Sequence, residues 1–198
     1  MNHAGTQRLE TSRLILRRFT VEDAPRMFAE WANDPEVTRY LTWAPHETPS
    51  VTRQLLEEWT GQYGCPEYYH WAIEEKQSGR LIGDIGVVHL SERDFCCEIG
   101  YCLSRDRWGL GIMTEAFSAV LAFLFDTVGV HRVEARHIAE NISSGKVMQK
   151  CGLLREGVGR EAFCCPSDGE YHDLVQYAIL LEDWQTARPE SRCENWNT

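Results

Sequence analysis

The 198-residue chain is 43% hydrophobic and 25% charged, with 30 acidic against 20 basic residues and a formal net charge of −10. That length suits one domain with a buried core of its own. The negative balance excludes the basic footprint of a nucleic-acid surface, and no run reaches the roughly 18 apolar residues of a membrane span. The polar start, Met1 to Arg8, lacks the apolar run of an export signal, so the expected compartment is the cytoplasm. Acidity is compatible with an amine substrate as well as with simple solubility.

In chain order, Leu9 to Phe19 holds a β-compatible run at Leu14-Ile15-Leu16. Val21 to Ala32 carries Ala24, Met27, Phe28 and Trp31 at helical spacing, closed by Asn33-Asp34-Pro35. Pro49 to Tyr63 reads as a second helix. Tyr69 to Glu75 and Leu81 to Leu90 read as strands joined at Ser78-Gly79, followed by a strand from Cys96 to Leu103. Ile112 to Thr127 is the clearest helix, since Met113, Phe117, Val120, Leu121, Leu124 and Phe125 recur at steps of three and four. Arg132 to Ile138 returns as a strand, Ser143 to Lys150 is a short helix ended by Gly152, and Leu153 to Phe163 and Tyr171 to Leu181 close the sheet. The order predicts an α+β fold, with helices packed on a mostly antiparallel sheet. Residues 1–184 form the expected domain, and 185–198 a loosely ordered tail.

Eight cysteines include the adjacent pairs Cys96-Cys97 and Cys164-Cys165. Neighbours on a strand face opposite ways, so neither pair clasps one ion easily. No C-x-x-C spacing occurs, and no His stands at a recognisable zinc offset. Reduced structural thiols and no metal are expected.

The segment Trp108-Gly109-Leu110-Gly111-Ile112-Met113-Thr114 leaves a strand and opens the strongest helix. A glycine-rich turn at a helix N-terminus exposes unpaired N–H donors at the positive end of the dipole, which suits a pyrophosphate. A lone G-x-G is also an ordinary strand-to-helix turn. A dinucleotide fingerprint would want Gly or Ala where Thr114 stands, which argues against that cofactor. After the Arg132 strand, a second polar turn at Asn141-Ile142-Ser143-Ser144 starts another short helix, so two such units share one cleft. Ser144 reads either as a helix-start cap or as a proton donor, and Glu98 either as a solvated strand residue or as a base reached through water. Asp84 is a candidate lining residue of the acceptor cleft. Trp43, Tyr68, Tyr69 and Trp71 read as core or rim aromatics.

With these motifs the chain resembles the GNAT superfamily of N-acetyltransferases, and within it the branch acting on N-terminal amines of ribosomal proteins. The likeness spans nearly the whole chain. It runs from Leu9-Glu10-Thr11-Ser12-Arg13-Leu14 through Leu81-Ile82-Gly83, Glu98-Ile99-Gly100-Tyr101, the Trp-Gly-x-Gly turn with Thr114-Glu115-Ala116, and Asn141 to Leu153. It ends with Gly169-Glu170-Tyr171-His172-Asp173 and Tyr177-Ala178-Ile179-Leu180. The resemblance implies a central sheet splayed at Glu98 to Leu103, with acetyl-CoA in the opening. Backbone groups of Tyr101, Cys102 and Leu103 would pair with the pantetheine arm. Trp108 and the amides of Gly109, Leu110, Gly111, Ile112, Met113 and Thr114 would form the pyrophosphate turn. Asn141 and Ser144 would face the thioester, and Lys146 would contact the phosphorylated nucleotide. Three positions depart from the family pattern: Met113 replaces Gly or Ala, Met148 replaces the frequent acid tyrosine, and Phe163 replaces an acidic residue of some ribosomal-protein members.

The expected function is acetyl transfer onto a primary amine by direct attack on the thioester, the amine being a protein or peptide N-terminus. A small-molecule amine is the alternative acceptor, and a noncatalytic acyl-CoA sensor the alternative function. A monomer or homodimer is expected.

Overall fold

The computed structural model describes residues 1–187. Its strands are β1 (Leu9–Glu10), β2 (Leu14–Arg17), β3 (His70–Glu75), β4 (Leu81–Ser91), β5 (Cys96–Leu103), β6 (Arg132–Ile138), β7 (Leu154–Cys164) and β8 (Tyr171–Leu180). They form one sheet in the order β1-β2-β3-β4-β5-β6-β8-β7. Every neighbouring pair is antiparallel except β5 and β6, which run parallel. The architecture is the expected mostly antiparallel α+β one.

Both faces of the central strands are buried, and alternation sorts their side chains. Trp71, Ile73, Cys97, Ile99 and Leu103 face the larger core, which is completed by the helix α4 (Ile112–Phe123) through Ala116, Phe117, Val120 and Leu121. Ala72 and Cys102 face a second core, where Met27, Trp31 and Leu56 arrive from the N-terminal helices. Those helices are α1 (Ala24–Met27), the single turns on either side of it (Val21–Asp23 and Phe28–Ala32), α2 (Pro35–Thr38) and α3 (Pro49–Gly61). The helix α5 (Ile142–Lys150) follows β6, with Gly152 at φ 89° behind it.

Four local differences from the sequence reading have physical causes. The first strand is two short strands, because Thr11, Ser12 and Arg13 turn out of the sheet to bind Glu115. Asn33-Asp34-Pro35 ends one helix and also begins α2. The Asp34 carboxylate accepts from the Glu36 N–H at 2.9 Å, and Pro35 occupies the first turn. A π turn at Leu124–Val128 extends the long helix to Gly129, whose φ is 77°. Finally, α6 (Leu181–Ala187) makes the first three residues of the expected tail helical, and residues 188–198 lie outside the described residues. No helix among the described residues is long and apolar enough to cross a membrane.

Candidate active site

β5 and β6 are hydrogen-bonded only from Cys96↔Arg132 to Glu98↔Glu134, after which the strands part. Beyond Glu98, β5 keeps β4 on one edge and has no strand on the other. The ion pair Glu98–Arg136 (2.8 Å) bridges the two strands where they separate. From this opening a cavity of about 1090 Å³ extends in two directions. One arm reaches the glycine turn at Trp108–Thr114, and the other a chamber walled by Tyr40, Trp43, Trp59, Tyr68, His70 and Asp84.

At the first arm, Gly109 and Gly111 have φ of 76° and 75°, the left-handed region that side chains disfavour. Gly111 caps α4, and no side chain caps the first-turn N–H groups. Donors and dipole therefore converge on the cavity, as an anionic ligand requires. The acid in that first turn, Glu115, is turned away and tied down. It accepts from Thr11 Oγ1 (2.5 Å), Ser12 Oγ (3.0 Å), Arg13 N (2.9 Å) and Arg13 Nε (2.6 Å). Burial alone would raise its pKa, but these donors outweigh it and hold the carboxyl at about 2. Arg13 also donates to the Leu110 carbonyl at 3.0 Å, stapling the β1–β2 turn to the glycine turn. The half-exposed Trp108 donates its indole N–H to the Leu103 carbonyl at 2.8 Å, closing the end of β5.

Where the arms meet, Tyr101 Oη lies 2.9 Å from Ser144 Oγ and donates to the Ser144 carbonyl at 3.1 Å. Burial drives the Tyr101 phenol far above its usual range, so it stays protonated. The Asn141 side chain accepts from the Ser144 N–H at 3.3 Å, which makes Asn141 the cap of α5. Ser144 is not the capping side chain; its hydroxyl is free to face Tyr101. Lys146 is exposed on the cavity rim.

In the second arm, His70 Nε2 lies 2.9 Å from Asp84 Oδ2, and Tyr68 Oη lies 3.2 Å from His70 Nδ1. The Trp59 ring packs 4.1 Å from the imidazole centroid and Phe19 meets it edge-on at 5.5 Å. Gly86 gives the imidazole its place, since a Cβ there would sit 2.8 Å from His70 Cδ2. His70 was not singled out from the sequence. Asp84, Tyr68 and Trp43 do line the cavity, whereas Tyr69 and Trp71 are fully buried core residues.

A family profile, the acetyltransferase (GNAT) domain, matches residues 13–154. This chain belongs to the GNAT acetyltransferase family. It is 33% identical to the uncharacterized N-acetyltransferase YoaA of Bacillus subtilis over 87% of this chain and 96% of that protein. It is 25% identical to the [ribosomal protein uS5]-alanine N-acetyltransferase of Escherichia coli, over 91% of this chain and 94% of that one. A GNAT-family acetyltransferase from Bacillus anthracis superposes with a TM-score of 0.78 at 27% identity, covering 89% of this chain and 99% of that one. GNAT enzymes use acetyl-CoA, and this chain is an acetyl-CoA-dependent N-acetyltransferase.

Set in the GNAT fold, the predicted residues separate. Tyr101, Cys102, Leu103, Trp108, Gly109, Gly111, Ile112, Met113, Thr114, Asn141, Ser144 and Lys146 all line one cavity, and Leu110 of the same turn does not. The Met113 side chain is buried in the core instead of standing in the turn, and Met148 is likewise buried, with no proton to give. Tyr101 on β5 brings a second hydroxyl beside that of Ser144 on α5. Phe163, on β7, also lines the cavity. Glu98 lines the cavity too, with its carboxylate paired to Arg136 at the strand junction. The seven cysteines among the described residues are free thiols, and burial pushes Cys97 up to about 12 and Cys151 to about 11. Folding also gathers Cys165, Asp168 and His172 at the β7–β8 turn, with ligand atoms within 4.8 Å, a grouping that sequence spacing did not reveal. There His172 pairs with Asp168 at 3.1 Å and the Cys165 thiol donates to the Arg39 carbonyl at 3.3 Å.

Proposed function

We propose that this enzyme transfers the acetyl group of acetyl-CoA to the α-amine of a protein or peptide N-terminus in the cytoplasm, by direct attack on the thioester. The supporting observation is the continuity of the cavity from the uncapped start of α4, past Tyr101 and Ser144, into the chamber at His70 and Asp84. The pyrophosphate fits the first arm, where Gly109 to Thr114 present backbone donors and Glu115 is already neutralised. Tyr101 and Cys102 would meet the pantetheine arm along the free edge of β5, and Lys146 the nucleotide phosphate.

The chemistry follows from those placements. A neutral amine attacks the acyl carbon, with a backbone N–H on the free edge of β5 stabilising the developing oxyanion. The Tyr101–Ser144 hydroxyl pair supplies a proton to the sulfur as the C–S bond breaks and regains one from the amine nitrogen. An α-amine has a pKa near 7.7–8.0 and lysine about 10.4, so deprotonating lysine at neutral pH costs roughly 3.5 kcal/mol more. The uS5-alanine enzyme from Escherichia coli acts on such an amine, as its name states.

A panel of acceptors tests this reading: peptides with a free N-terminus, the same peptides N-blocked but carrying lysine, and small amines. Free N-termini should give the highest kcat/KM. Faster reaction of lysine side chains or of small amines would overturn the acceptor assignment.

A further inference from the structure

We infer that Tyr68, His70 and Asp84 form the proton-accepting relay for the incoming amine, with Asp84 docking its ammonium; this rests on the amine-acetylating function proposed above. An ionised carboxylate only accepts hydrogen bonds, so the contact at 2.9 Å makes His70 Nε2 the protonated nitrogen of the neutral imidazole. Nδ1 then holds the lone pair and accepts from the Tyr68 hydroxyl. The second oxygen of Asp84, Oδ1, makes no hydrogen bond among the described residues, and Asp84 lines the cavity. Asp84 sits opposite Cys102 in the β4–β5 ladder, one residue from Tyr101. The relay and the Tyr101–Ser144 pair thus line one cavity, a proton acceptor in the chamber and a proton donor at the junction.

The amine arrives as an ammonium and pairs with Asp84 Oδ1. One N–H bond breaks as its proton passes to the Tyr68 oxygen, while the Tyr68 proton moves to His70 Nδ1. The imidazolium so formed is held against the Asp84 carboxylate, and the freed lone pair attacks the acyl carbon. After product release the imidazolium returns its proton to solvent. Burial keeps the phenols and the thiol around the imidazole protonated. Burial raises the Tyr68 phenol and the Cys102 thiol, and pushes Tyr63, whose hydroxyl donates to the His70 carbonyl, to about 12. Arg18 lies over the Tyr63 ring.

The experiment compares wild type with His70→Gln, Asp84→Asn and Tyr68→Phe. It measures kcat/KM for a peptide α-amine from about pH 6.5 to pH 9.5, alongside acetyl-CoA affinity and melting temperature. Tyr68→Phe keeps the ring and removes only the hydroxyl, so it remains informative if the other variants fold poorly. Each variant should lose about 10²-fold below the amine pKa of roughly 7.7–8.0, with the loss shrinking above it as the amine arrives neutral, and acetyl-CoA affinity unchanged. A loss of equal size at every pH, or none in Tyr68→Phe, overturns the relay while leaving the transferase intact. A wild type that binds acetyl-CoA but acetylates no amine overturns both.

Discussion

Tyr101 and Ser144, the hydroxyl pair proposed to protonate the leaving sulfur, come together by a route the local sequence hides. Met148 stands where the sequence resemblance implies an acid tyrosine, and its buried thioether has no proton to give. The phenol of Tyr101 comes instead from β5 and sits 2.9 Å from Ser144 Oγ. We expect Ser144→Ala and Tyr101→Phe each to lower kcat by about 10–100-fold, with acetyl-CoA affinity nearly unchanged. Because the two hydroxyls act as a unit, the double variant should be little worse than either single one. Steady-state kinetics on the three variants checks this, and additive losses would separate the two roles. Ser144 and Tyr101 were both legible in the sequence as site positions, whereas the meeting of their hydroxyls was not, since only the fold brings residues 101 and 144 together. His70 was hidden for a related reason. Glu74 pairs with Leu81 beside the turn, and that register carried outward would set Asp84 opposite Trp71. A bulge between Ile73 and Glu74 shifts Asp84 to Ala72 and so to the side of the sheet that carries His70. No residue pattern in the strand announces that slip.

At the scale of elements, the turn into α4 depends on a distant clamp. Thr11, Ser12 and Arg13 hold Glu115 deprotonated, its pKa lowered from 4.5 to about 2. The folded state therefore favours the charged carboxylate. The stabilisation is fully present above about pH 4.5 and is lost as pH falls through about 2. Discounted for solvent screening, it amounts to about 1–2 kcal/mol. Glu115→Gln should lower the melting temperature at pH 7 and flatten its decline between about pH 4.5 and 2, as thermal melts over that range would show. A wild-type melt that does not depend on pH there would contradict the clamp. The glycine turn makes a second prediction. Gly111→Ala forces a Cβ into a left-handed backbone and should cost about 1–2 kcal/mol of stability with weaker acetyl-CoA binding. Gly111→Asn, which visits that region more readily, should recover part of both. Equal behaviour of the two substitutions, measured by melting and by titration with acetyl-CoA, would show that backbone conformation is not what the turn requires. The glycines and the helix after them were legible because both signals are local. The clamp was not, because its partners lie about a hundred positions apart.

For the molecule as a whole, the two-sided burial follows from the apolar runs, and the hairpin-linked strands made the antiparallel part readable in advance, whereas the placing of β8 between β6 and β7 was not. The break between β5 and β6 is different in kind. It arises where the pairing stops after Glu98, and the cavity exists only because of that stop. Acetyl-CoA bound there should stabilise the fold by about 2.7 kcal/mol at 100 times its dissociation constant. NAD, which the turn does not match, should leave the melting temperature unchanged. The most direct test of the account is release of free CoA, measured with and without a peptide bearing an unblocked N-terminus, together with mass spectrometry of that peptide. The account predicts that release depends on the amine and yields one acetylated N-terminus per CoA. Tight binding of acetyl-CoA with no release in the presence of any amine would contradict it, and would make the cleft a sensor's binding site.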